Sequence, residues 1–211
     1  MEESWRDIVS AALNQTEGAF RSNPANFSDE RALTDHVRSQ LVQSLGQVTV
    51  STVAVEDGTS RGSIPDHIDY TRRYNDTTTI DCAHCEVGGP KFPFPDTHRM
   101  DLGLFDDGMT LRINGGTQEF DPSDLLAGFE FKYVKNINYL RHRPDMESSK
   151  YVDIATDISR LGELPQGVER WCVIFGNYGM LRRDDGQVAD NLQALAAKHD
   201  VSLRFVLPEV G

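Results

Sequence analysis

The segment Gly128-Phe129-Glu130-Phe131-Lys132-Tyr133 constrains this chain more than any other. Successive side chains of a strand point to opposite faces, so Phe129, Phe131 and Tyr133 would share one face and Glu130 and Lys132 the other. An aromatic face of that size demands a core beneath it. The carboxylate and the ammonium then project from a rigid element into one space. An earlier segment, Arg99-Met100-Asp101-Leu102-Gly103-Leu104-Phe105, reads the same way. Met100, Leu102 and Leu104 take its apolar face and Asp101 the opposite one. If the two strands are neighbours, Asp101 joins Glu130 and Lys132.

The elements around these strands follow from periodicity and punctuation. Residues 2 to 13 read as a short amphipathic helix, with Trp5, Ile8, Val9 and Leu13 on one face. Ser28 is the expected N-cap of a second helix, from about 29 to 45, in which Leu33, Val37, Leu41 and Leu45 recur. Gly46 ends it. Gln47 to Val55, rich in Val and Thr, is an expected strand, and the polar region 56 to 97 an insertion or long functional loop. The 99–105 strand should turn at Asp106-Asp107-Gly108 into a hairpin with Met109 to Ile113. Leu126 to Val134 is the next strand. A helix from about 148 to 162 follows, with Tyr151, Ile154, Ile158 and Leu161 facing the core. Trp171 to Phe175 predicts a strand buried on both faces, 187 to 198 a helix and Val201 to Leu207 a last strand. The order predicts an α/β domain with a mixed sheet, antiparallel early and parallel in its crossover half.

Two carboxylates and a lysine suit phosphodiester hydrolysis. Carboxylate oxygens are hard ligands for Mg²⁺, which keeps positions open for water and a phosphate oxygen. A lysine can orient the attacking water and stabilise charge developing on phosphorus. In these residues the chain resembles the PD-(D/E)XK nuclease superfamily, whose pattern is an Asp, a variable hairpin and then (D/E)-x-K on the next strand. The resemblance implies a restriction-endonuclease-like mixed β-sheet flanked by helices. Its core order of helix, three strands, helix and strand would cover about 29 to 177, with the last helix and strand appended to a single domain spanning 1–211. It implies that Asp101 and Glu130 bind Mg (or Mn), that Lys132 positions the water and that Glu30, on the first core helix, assists. A further polar residue on the helix after the E-x-K strand would be Lys150 or Asp153. Met100 stands where the naming proline would be. The implied activity is cleavage of DNA to a 5′-phosphate and a 3′-hydroxyl.

Other readings stay open beside this one. Glu130 and Lys132 could form an ion pair on a half-solvated sheet, and Glu30 could serve only the helix dipole. A noncatalytic nucleic-acid- or protein-binding subunit could retain the same fold, as a homodimer or within a larger complex. Lys135, Arg141 and Arg143 after the E-x-K strand, and Arg72 and Arg73 in the long region, are candidate phosphate contacts, with Tyr70 and Tyr74 available for stacking. Cys82 and Cys85 have the spacing of half a structural zinc site, but no second C-x-x-C completes it.

Composition excludes other classes. Among the 211 residues, 38% are hydrophobic and 26% charged, as in a globular protein. No run is long enough for a membrane span and the start lacks a secretory pattern, so the expectation is a cytoplasmic protein with no membrane partner. Asp plus Glu number 33 against 21 Lys plus Arg, a net charge of -12. The acids are mostly Asp (21) and the bases mostly Arg (16), a halophile-like balance that keeps a surface hydrated in strong salt. Such salt would screen the repulsion of DNA by the acidic surface. Neither a G-x-S-x-G elbow nor a phosphate-binding G-x-x-x-x-G-K-(S/T) loop is present.

Overall fold

The computed structural model describes residues 4–54, 77–87, 98–114, 117–134, 150–176 and 187–208. Among these the chain is a mixed α/β protein with four helices and two sheets. Helix α1 spans Trp5–Ser22, nine residues beyond the expected end at Leu13. The polar stretch after Leu13 hides its continuation, yet Thr16 and Phe20 extend the buried face of Val9, Ala12 and Leu13. Thr16 satisfies its buried hydroxyl by donating to the Ala12 carbonyl at 3.0 Å. Helix α2 spans Glu30–Leu45, and its cap is Asp29 rather than Ser28, accepting from the Ala32 N–H. Leu33, Val37 and Leu41 form its buried stripe, and Gly46 ends it at φ 74.

Strand β1 is Gln47–Ala54. The region read as one long loop holds two strands, β2 (Thr77–Asp81) and β3 (Ala83–Val87). They are short and polar, so periodicity does not separate them from loop. Strand β4 is Met100–Phe105, β5 is Met109–Asn114, β6 is Thr117–Phe120 and β7 is Leu125–Val134. Helix α3 (Lys150–Gly162), β8 (Glu169–Gly176), helix α4 (Gln187–Lys198) and β9 (Ser202–Val206) complete the described chain.

One sheet has the order β2-β1-β5-β6 and the other β3-β4-β7-β8-β9. The expected β4–β5 hairpin does not form. The Asp106-Asp107-Gly108 turn instead carries the chain from one sheet to the other, where β5 pairs parallel with β1. Asp107 accepts from the Thr49 N–H at 2.6 Å, and Gly108 donates to the Thr49 carbonyl at 2.9 Å. The turn chemistry, with Gly108 at φ 82, is as expected, but its partner is β1. At the seam between the sheets, the Phe105 and Phe120 rings stack 4.7 Å apart, with His84 beside them.

The five-stranded sheet carries Asp101, Glu130 and Lys132. β3, β4 and β7 are antiparallel, and β7, β8 and β9 parallel. Within this sheet the antiparallel-then-parallel order holds, but the single mixed sheet expected does not form, because β1 and β5 pair parallel in the other one. Cys172, Val173, Ile174 and Phe175 are all fully buried, so β8 is covered on both faces. Phe20 of α1 meets the rings of Tyr133 and Phe175 edge-on at 5.9 and 5.0 Å. Gly103 and Gly128 face each other across β4 and β7. A Cβ at Gly128 would collide with Met100 Sδ and stand 2.9 Å from Leu164 Cδ1. Gly128→Ala is therefore expected to destabilise by about 1–3 kcal/mol, read as a fall in melting temperature of roughly 2–10 °C. No helix among the described residues is long and apolar enough to cross a membrane.

Candidate active site

Strand alternation places Glu130 and Lys132 on the face of β7 opposite the stacked rings of Phe129 and Phe131. Pairing of Leu102 with Phe129 brings Asp101 alongside Glu130. Asp101 turns its carboxylate across the strands to accept from the Phe131 N–H at 2.7 Å. The face is not half-solvated: Glu130 and Lys132 are 7% and 8% exposed. Asp101 is more open, with its side chain 32% exposed.

Three carboxylates surround the Lys132 ammonium. Asp157 Oδ2 lies 2.9 Å from Nζ, Glu130 Oε2 3.3 Å and Asp101 Oδ2 3.9 Å. Glu30, at the first turn of α2, accepts from the Tyr133 N–H at 3.3 Å and adds its charge to the field at Lys132. Burial alone would lower the pKa of Lys132, but Glu130, Asp101, Asp157 and Glu30 outweigh it, so the pKa is raised and the amine stays charged. Glu130 is pushed well above the usual carboxylate range by burial first and then by the charge of Asp101, against the pull of Lys132. Burial raises Asp101 as well, while Lys132 and the Phe131 N–H oppose it.

The site thus gathers four acids around one ammonium. Among the described residues no three His, Cys, Asp or Glu side chains stand together as ligands for one metal ion. Mg²⁺ asks for less, commonly one or two carboxylates with water and phosphate oxygens. Asp101 and Glu130 meet that lesser requirement. They sit side by side on paired strands, and the charge of Asp101 that helps raise Glu130 is of the kind a divalent cation relieves.

The structure thus brings Asp101, Glu130, Lys132 and Glu30 together, and adds Asp157. Of the two residues expected on the following helix, Asp153 is exposed, and the side chain of Lys150 is outside the described residues. Asp157 falls with Ile154, Ile158 and Leu161 on the buried stripe of α3. An acid in that apolar stripe was the signal available for it. Lys135, Arg141, Arg143, Arg72 and Arg73, with Tyr70 and Tyr74, lie outside the described residues.

The Cys82 and Cys85 thiols sit against α2. Cys82 is buried with its thiol 3.8 Å from the Leu41 carbonyl, and half-buried Cys85 is 3.8 Å from Asp35 Oδ1. Burial pushes both up to about 11, Asp35 adding to the shift at Cys85. Burial raises Cys172 as well. A disulfide-exchange reagent at neutral pH is therefore expected to react about 100-fold more slowly with the native thiols than with the unfolded chain. Rapid reaction of the native protein would contradict that. Zinc content of the purified protein, and its loss in Cys82→Ser, tests the zinc reading separately.

Compared with family models, curated proteins and solved structures, the chain shows no significant match to any.

Proposed function

We propose that this chain is a metal-dependent nuclease that hydrolyses phosphodiester bonds in DNA. The observation that carries the reading is the buried constellation of Asp101, Glu130 and Lys132 on adjacent strands, with Lys132 Nζ 3.3 Å from Glu130 and 3.9 Å from Asp101. Their order along the chain, an acid on one strand and Glu-x-Lys on the next, is that of the PD-(D/E)XK superfamily. With β1, β2, β5 and β6 set aside in the other sheet, the order α2, β3, β4, β7, α3, β8 follows the helix, three strands, helix and strand of a restriction-endonuclease-like core and supports that reading.

In this reading Asp101 and Glu130 hold Mg²⁺ or Mn²⁺. The metal, when bound, supplies an acidified water and neutralises charge on the phosphate. Lys132 remains an ammonium in the field of its acids, so it donates hydrogen bonds. It orients the water and stabilises the oxygens gaining charge as the water attacks phosphorus and the bond to the 3′ oxygen breaks. The products are a 5′-phosphate and a 3′-hydroxyl. Glu30 adds negative charge at the edge and fixes the β7 backbone through Tyr133.

Cleavage of supercoiled plasmid and of labelled single strands, with Mg²⁺, Mn²⁺ or EDTA and at low and molar KCl, tests the proposal. Metal-dependent cutting by wild type that is lost in Lys132→Ala is the expected result. A folded wild type that cuts nothing under any of these conditions overturns it in favour of a noncatalytic binding subunit.

A further inference from the structure

We propose that Asp157 is a positioning residue of this site, its carboxylate holding the Lys132 ammonium while being tethered in turn by Arg160. The inference rests on the nuclease reading and adds to it a residue outside the Asp and Glu-x-Lys pattern. The Asp157–Lys132 contact, at 2.9 Å, is shorter than those of Lys132 to Glu130 and Asp101, at 3.3 and 3.9 Å. Asp157 divides its two oxygens: Oδ2 takes Lys132, and Oδ1 accepts from Arg160 at 3.0 Å. Arg160 in turn lies 3.2 Å from His98 Nδ1, just ahead of β4. A chain of contacts therefore runs from exposed His98, ahead of the Asp101 strand, through α3, to the lysine.

A lysine needs such a holder. Its ammonium ends a flexible four-carbon stem, and nothing in the side chain itself fixes the direction of its donors. Glu130 and Asp101 cannot do this alone while they also bind a metal, since their oxygens are then turned to another cation. Asp157 comes from a helix and not from the sheet, so its hold on Lys132 is independent of what those two bind. It is 9% exposed, so its ion pair escapes the screening that makes surface pairs weak.

The chain has only five lysines, so the amine region of a nitrogen–proton NMR spectrum is sparse. An ammonium held in a buried ion pair exchanges its protons slowly in the cold and is seen, whereas exposed amines are lost to exchange. In metal-free wild type a Lys132 signal is expected, assigned by its absence in Lys132→Ala. Asp157→Asn should abolish or strongly broaden it, and Asp157→Glu should retain it. The same variants are then assayed for cleavage. Asp157→Asn should lower kcat by about 10–100-fold with KM little changed, as for loss of a group that orients a catalytic one, and Asp157→Glu should recover part of that loss. Should Asp157→Asn fail to fold, Arg160→Gln carries the test, with a smaller loss of kcat and the same broadening. An unchanged ammonium signal or unchanged kcat in the folded variant, beside a wild type that cuts, overturns this inference alone. A wild type that never cuts overturns the nuclease reading together with it, and is recognised as such because it needs no variant.

Discussion

Lys132→Ala is expected to lower cleavage by about 100–1000-fold, the usual effect of removing one preorganised donor to a reacting oxygen. The same change should also destabilise the metal-free protein, by about 3–5 kcal/mol near neutral pH. The reason lies in the charges left behind. Lys132 is the cation among Glu130, Asp101, Asp157 and Glu30, and without it they repel one another in a buried space. Loss of packing adds to the effect, so Lys132→Met, which keeps most of the aliphatic stem, isolates the lost charge. The sign with pH separates the causes further. Acids without a counter-charge are relieved by protonation, so both variants should regain stability relative to wild type as pH falls. A melting curve deficit that is the same at acid and neutral pH would mean that packing, and not charge, explains the loss.

Glu130→Gln should do the reverse to stability while also abolishing cleavage. Glu130 has a pKa raised well above the usual carboxylate range by burial and by Asp101. A carboxyl raised on folding binds more protons in the folded than in the unfolded state. Its contribution is therefore fully present below the unfolded pKa and is lost as pH rises through the raised folded value. Gln keeps the shape and hydrogen-bond capacity of the protonated acid without that loss. In EDTA, Glu130→Gln should melt higher than wild type, by roughly 2–10 °C at neutral to alkaline pH, with the gap closing in acid. Millimolar Mg²⁺ or Mn²⁺ should raise the melting temperature of wild type and leave the variant almost unmoved, since binding to the folded state alone stabilises by mass action. A wild type whose melting is indifferent to both ions would remove Asp101 and Glu130 as their ligands. Stability given up to keep charge at a site of reaction is a common trade.

How far the sequence could be read is clearest element by element. The stripe of α2 and the apolar run of β8 were legible because each is long and repeats its own period. The alternation along β7 assigned Glu130 and Lys132 to one face, and that of β4 assigned Asp101 away from its apolar neighbours. By contrast, β2 and β3 are not legible as strands, since short strands with polar residues carry no period to detect. The Asp106-Asp107-Gly108 turn was legible as a turn, but a turn does not name the strand that follows it home. Its hydrogen bonds to Thr49, a residue distant in the chain, send β5 to the other sheet.

The sequence by itself determined the local quantities: which side chains share a strand face, where the α2 stripe runs and where Gly46 stops it. These depend on backbone geometry within a few residues, and composition needs nothing else. Only the tertiary structure decided that β4 lies beside β7, that Asp157 of α3 reaches Lys132 at 2.9 Å, and that the charged face is buried and not wet. Strand partners, helix docking and desolvation are set by residues far apart in the chain. The raised pKa of Glu130 belongs to that second kind, because a carboxyl's proton affinity is fixed by what surrounds it in space and not by its neighbours in sequence.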